Sequence, residues 1–121
     1  MTKQVLGFTV TPDNLFDVVM PQVNDTEWRL ICIILRQTIG WRHEDGTCKD
    51  WDWLSHSQLR TRMNHSSATV SKTIDSLVTK GLIEVATSSG KLLTTALQRR
   101  NAHARMYFRL SRKVFEGSSR F

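Results

Sequence analysis

The chain is poor in the residues that make a stapled, metal-bound or membrane-inserted protein. It holds two cysteines in 121 residues, and they form no C-x-x-C pair. Cys32 lies in the apolar stretch Leu30-Ile-Cys-Ile-Ile-Leu35, the setting of a small buried hydrophobe, and Cys48 lies in a polar loop, so no disulfide scaffold is indicated. His43 is near Cys48, and His56 and His65 fall on a helix and a turn, but no pair has the spacing of a structural zinc site. Neither a metal nor another cofactor is expected. No apolar run approaches the ~20 residues that span a bilayer, and Met1-Thr-Lys-Gln-Val-Leu6 lacks the apolar region of a signal peptide. A cytoplasmic location is expected, with no membrane partner. No nucleophile–base pairing, phosphate-cradling glycine loop or metal cluster stands out, so catalysis is not expected either.

What is present is an apolar share of 40%, enough for a core, in a length that gives one domain. The net charge of +6 is unevenly spread. Residues 1–55 carry five Lys/Arg against eight Asp/Glu, a balance of −3, and residues 56–121 carry twelve against three, a balance of +9. A basic half suits a polyanion, because each Lys or Arg that neutralises a phosphate releases condensed counterions.

That basic half contains the stretch around which the chain is organised, Ser55 to Val85. Ser55 with Gln58 is a capping-box spacing and predicts a helix from about His56 to Met63. Asn64 and His65 tolerate turn geometry, Ser66 suits an N-cap, and Ser67 to about Lys80 predicts a second helix. Val70, Ile74, Leu77 and Val78 share one face of it, and Gly81 sits where a helix ends in the left-handed conformation. The opposite face, Ser67, Ala68, Thr69, Ser71, Lys72 and Asp75, is small and polar and can approach a groove edge. Leu82-Ile-Glu-Val85 then reads as a strand, Ser88 to Lys91 as a turn and Arg105-Met-Tyr-Phe-Arg-Leu110 as a second strand. Helix, helix, strand, basic loop, strand is the order of a winged helix-turn-helix.

The expected fold class is α+β, mostly helical, with a small two- to three-stranded antiparallel sheet and an extended wing. Residues 1–11 read as an arm, 12–110 as the domain and 111–121 as a basic tail or linker. Thr11-Pro-Asp-Asn14 starts a helix over Asn14 to Met20, with Leu15, Phe16, Val18 and Val19 on its apolar side and Pro21 as its stop. Asn24 and Glu27 frame a helix from Asp25 to Ile39, with Trp28, Ile31, Cys32, Leu35 and Ile39 on its stripe, Gly40 at its end and Trp41 packed over it. Trp51-Asp-Trp-Leu54 alternates as a short strand able to pair with the wing. Its two tryptophans also suit a nucleotide-stacking platform, although sheet-edge packing is the simpler account. About seventeen residues separate the two wing strands, so the connection needs structure of its own. Thr94 or Thr95 can cap a short helix there through Arg100, making Lys91, Arg99, Arg100 and Arg105 a cationic tip that grips phosphate or enters a minor groove.

Five stretches, Thr11-Pro-Asp-Asn-Leu-Phe-Asp-Val-Val19, Ile39-Gly-Trp41, Leu54-Ser-His-Ser-Gln-Leu59, Ser66 to Ile74 and Lys80-Gly-Leu-Ile83, together make the chain resemble the N-terminal winged-helix domain of phage replication protein O and related replisome-organiser proteins. The resemblance covers roughly residues 11–110. It implies a domain that binds repeated sites at a replication origin of a phage or mobile element, in a bacterial or phage-infected cell and in association with the nucleoid. In that family a separate C-terminal segment recruits the helicase loader. The positions matching the recognition helix are Ser66, Ser67, Thr69, Val70, Ser71 and Lys72. Ser67 and Ala68 stand where the family often carries Arg or Lys, which weighs against strong base readout. Lys-Gly-Leu-Ile after a recognition helix also marks MarR-like regulators.

The expected function is therefore double-stranded DNA binding. Arg60, Arg62, His65, Ser66, Ser67, Thr69, Ser71, Lys72, Lys91, Arg99, Arg100 and Arg105 are the candidate contacts. Replication proteins and a second copy of the chain are further partners, the latter through Leu15, Phe16, Val19 or the tryptophans. Two alternatives stay open: a transcriptional regulator on the same fold, and a protein-interaction module using the acidic surface around Asp13, Asp17, Glu44, Asp45 and Asp52.

Overall fold

The computed structural model describes residues 8–39, 44–45, 47, 49–102 and 104–115. They form an α+β fold in which helices cover one face of a small antiparallel sheet. The chain comes in through a π-helical turn, Leu15–Val19, and a 3-10 turn, Met20–Gln22. Pro21 does not stop the helical path as its sequence context predicts. It takes an early position of the new turn, where its missing N–H costs nothing. Leu15 and Val19, one turn apart, are buried, whereas Phe16 and Val18 are exposed instead of joining the core. Residues 1–7 of the expected arm lie outside the described residues.

Helix α1, Asp25–Gln37, opens with the expected capping box, in which Asn24 Oδ1 accepts from Glu27 N and Glu27 Oε1 accepts from Asn24 N, each at 2.8 Å. It stops short of Ile39 at Thr38, whose hydroxyl donates to Ile34 O at 2.7 Å. Gly40 and Trp41, its expected stop and cover, lie outside the described residues. Leu30, Ile31, Ile33, Ile34 and Leu35 are buried, but Cys32 is exposed, contrary to its expected place in the core. At 100° per residue a continuous apolar run cannot all face inward. The sector taken by Glu27, Leu30, Ile31 and Ile34 leaves Cys32 on the far side.

The remaining elements are β1 (Asp52–Trp53), α2 (His56–Met63), α3 (Ser67–Thr79), β2 (Ile83–Ala86), α4 (Ala96–Asn101), β3 (Tyr107–Leu110) and α5 (Arg112–Phe115). The sheet order is β1-β3-β2, antiparallel throughout, with Trp53 opposite Tyr107 and Val85 opposite Phe108. Leu92 bridges Ala86, and Leu93 N donates to Val85 O at 2.8 Å, so the returning chain covers the other edge of β2. Phe108 lies in one cluster with Leu30 and Ile34 of α1, Leu59 and Met63 of α2, and Val70 and Leu77 of α3. The stretch expected as a basic tail folds back at its start: Val114 is buried and its carbonyl accepts from Asn14 Nδ2 at 2.8 Å. Val114 closes the core beside the first helical turn, so the domain extends past residue 110.

Candidate nucleic-acid interface

Local chemistry sets the two helices at the centre of the site. Ser55 and Gln58 form the predicted capping box at the start of α2. Asn64 ends that helix in the left-handed region at φ 58° and ψ 48°, a conformation that Asn accepts more readily than most residues. Ser66 caps α3 through Thr69 N, and Gly81 leaves it at φ 74°. On α3, Val70, Thr73, Ile74 and Leu77 are buried, while Ser67, Ala68, Ser71 and Lys72 are exposed.

An ion pair fixes α3 against α1. Glu27 is 2% exposed, and its carboxylate accepts from Lys80 Nζ at 2.8 and 3.0 Å and from the Ser76 hydroxyl. Burial alone raises the Glu27 pKa, but the hydrogen bonds from Lys80, Ser76 and Asn24 N outweigh it and hold the carboxyl below its ordinary value. Sequence reading assigned Glu27 only a capping role. Its partners lie 49 and 53 residues away, and no local pattern points to them.

The candidate contacts divide by what their side chains already do. Ser66 Oγ accepts from Thr69 N and donates to Thr69 Oγ1 at 3.1 Å, so these two residues serve the cap. Ser67 Oγ lies 2.9 Å from His56 Nε2, which ties the start of α3 to the start of α2. Arg62 Nη1 donates to Gln37 Oε1 at 2.9 Å. Arg60, His65, Ser71 and Lys72 are exposed, and their side chains have no partner among the described residues.

The long connection between β2 and β3 is structured, as its length predicts. Thr87 N donates to Lys91 O and Gly90 N to Thr87 O, both at 2.9 Å, with Gly90 at φ 93°. Thr95, one of the two expected caps, starts α4 in a capping box with Gln98. Lys91 and Arg100 are exposed. Arg99 is not at a cationic tip. Its side chain is 7% exposed, and it donates through Nη2 to Asp75 Oδ1 at 2.6 Å and through Nη1 to Leu93 O at 3.1 Å. Adjacent residues on a helix point about 100° apart, so Arg100 faces water while Arg99 turns back onto α3. Arg99→Ala is expected to cost about 1–2 kcal/mol in a urea melt, the value of a charge-assisted bond to a partly screened partner, while leaving any polyanion affinity of the folded protein nearly unchanged.

Arg105 lies 4.3 Å over the Trp53 ring, and Arg109 lies 4.3 Å over the Trp51 ring. Arg109 also pairs with Glu84 at 2.7 Å and Asp50 at 3.1 Å. Arg109 was not among the candidates, although a period-two reading of Arg105-Met-Tyr107-Phe-Arg109 puts both arginines and the tyrosine on one face. The described carboxylates of the basic half, Asp75 and Glu84, are thus each bonded to an arginine. Arg60, Lys72, Lys91 and Arg100 have no carboxylate partner among the described residues. On the acidic side, Asp13, Asp17, Glu44 and Asp45 are exposed; Asp45 accepts from Thr47 N at 2.9 Å and Thr47 Oγ1 at 2.7 Å, and Asp52 is bonded to Gln37 at 3.0 Å and Lys49 at 3.2 Å. Among the described residues no group of three or more His, Cys, Asp or Glu is placed to hold a metal ion, and no helix is long and apolar enough to cross a membrane. No family model, curated protein or solved structure matches the chain.

Proposed function

We propose that this chain is a winged helix-turn-helix protein that binds double-stranded DNA and catalyses no reaction. Helix α3 enters the major groove, whose width of about 12 Å admits a helix about 10–12 Å across. The 87–106 connection is the wing and lies along the backbone. The observation that carries this reading is the uncompensated charge on α2, α3 and the 87–106 connection: Arg60, Lys72, Lys91 and Arg100 have no carboxylate partner among the described residues, while Asp75 and Glu84 are already neutralised. Exposed small residues Ser67, Ala68 and Ser71 beside Lys72 leave the outer face of α3 unobstructed. Ser71 is the base-edge candidate. Arg60, Lys72, Lys91 and Arg100 hold phosphates and set register without reading sequence.

Anisotropy titrations of a labelled duplex test this. Lys72→Ala and Arg100→Ala should each reduce the slope of log K against log salt by about 0.9, and Arg99→Ala should not. Equal slopes for all three variants and wild type would sink the assignment of these residues. The resemblance to replisome organisers supports origin binding as the role, with replication proteins as later partners. Footprinting decides that: repeated sites within an origin support initiation, and sites over promoters support the transcriptional alternative.

A further inference from the structure

The outer face of the sheet carries a second set of groups that duplex binding by α3 does not use. Along β3, Phe108 and Leu110 point into the core, so Tyr107 and Arg109 point out, and Trp53 stands opposite Tyr107 on β1. Arg105 and Arg109 lie over Trp53 and Trp51, each with its guanidinium carbon 4.3 Å from the ring centre. Two indoles, a phenol and two guanidinium groups therefore share the outer face of the sheet. All three aromatic rings are only partly buried. Neither indole N–H nor the Tyr107 hydroxyl has a partner among the described residues. Trp51 and Tyr107 line a cavity of about 400 Å³ together with Thr87 and Ser88, within the range of ligand clefts.

We infer that this face binds single-stranded nucleic acid by stacking unpaired bases. The Tyr107 ring and the outer sides of the guanidiniums that cover the two indoles offer π-faces that any base can use, and such platforms are sequence-tolerant. The three donors at the rim, without a protein partner among the described residues, suit base-edge acceptors. Arg109 is held by Glu84 and Asp50 at 2.7 and 3.1 Å, which neutralises its charge and holds it over the Trp51 ring. Arg105 has no carboxylate partner among the described residues, and it supplies the phosphate contact. Duplex DNA cannot use this surface, because its bases are stacked on one another and present only their edges.

The inference stands independently of the duplex reading, and one set of titrations separates them. The probes are a labelled 15-nucleotide oligo-dT, oligo-U of equal length and a mixed-sequence duplex. They are titrated against wild type, Trp51→Ala, Tyr107→Ser and Lys72→Ala, with circular dichroism confirming that each variant is folded. Trp51→Ala and Tyr107→Ser should each weaken single-strand binding roughly tenfold or more, the range for loss of one stacked base, and leave duplex binding within twofold. Lys72→Ala should do the reverse. A stronger response to oligo-dT or to oligo-U identifies which polynucleotide the face takes. Absence of single-strand binding by wild type, or equal affinity in wild type and the two folded sheet-face variants, overturns the inference whatever the duplex does. Loss of duplex binding alone would overturn only the role of α3.

Discussion

Replacing Phe108 by Ala is expected to destabilise the protein by about 3–5 kcal/mol, the range for removing a fully buried aromatic side chain. Phe108 is 0% exposed and stands on the middle strand, with Asp52 and Val85 opposite it on the two neighbours. The substitution leaves both ladders in place but opens a cavity between the sheet and the helices of the core cluster. A domain of this size has only about 5–15 kcal/mol in total, so the loss is about a fifth of it or more. A urea melt should show a lower midpoint with an unchanged slope. A shift under about 1 kcal/mol would mean that the sheet is not packed on the helices as described.

The second large effect concerns Glu27. Glu27→Gln keeps the shape and the capping bond but removes the charge that faces Lys80. The buried oxygen then accepts from an ammonium that no longer has a counter-charge, at a cost of about 1–3 kcal/mol. That is less than a fully interior pair would lose, because the Lys80 side chain is 40% exposed and can rehydrate. The pH dependence follows from the direction of the shift. The carboxyl titrates lower in the folded protein than in the unfolded chain, so between the two values the unfolded state binds more protons and stability rises with pH. The contribution is complete above the ordinary carboxyl value of 4.5 and is lost as pH falls through the lower folded value. Wild type should therefore exceed Glu27→Gln in stability most clearly near neutrality, and the gap should narrow in melts below about pH 4.5. A gap that widens on acidification would contradict the ion pair.

Those two residues also mark how far the sequence could be read. Elements fixed by contacts three or four residues apart were legible: the capping boxes at Asn24 and Ser55, a cap at Thr94 or Thr95, the turn at Asn64 and the stop at Gly81 appear where their local chemistry demands. The stretch from Ser55 to Gly81 was therefore visible almost to the residue. What failed depends on distant partners or on phase. Six consecutive apolar residues from Leu30 to Leu35 leave the helix free to rotate in any reading of periodicity, and only packing against the rest of the core puts Cys32 outside. Arg99 resembles its neighbour Arg100 in sequence, yet Asp75, 24 residues upstream, draws one inward and leaves the other exposed. Pro21 stops a helix only where its N–H is needed, and a fresh 3-10 turn does not need it.

For the candidate interface, α3 and its polar face were legible and the charge around them was not. Counting Lys and Arg gives a basic half, but ion pairing decides which cations remain available. Lys80, Arg99 and Arg109 are bonded to carboxylates, and Arg60, Lys72, Lys91 and Arg100 are not.

The most direct measurement is the affinity of wild type for duplex DNA across a salt series from about 50 to 300 mM. Four phosphates held by those four cations predict a straight line of log K against log salt with a slope near −3.6, at about 0.9 per phosphate. A flat line, or no duplex binding even at the lowest salt, would contradict the account and make the helix pair and its wing a surface for docking another protein.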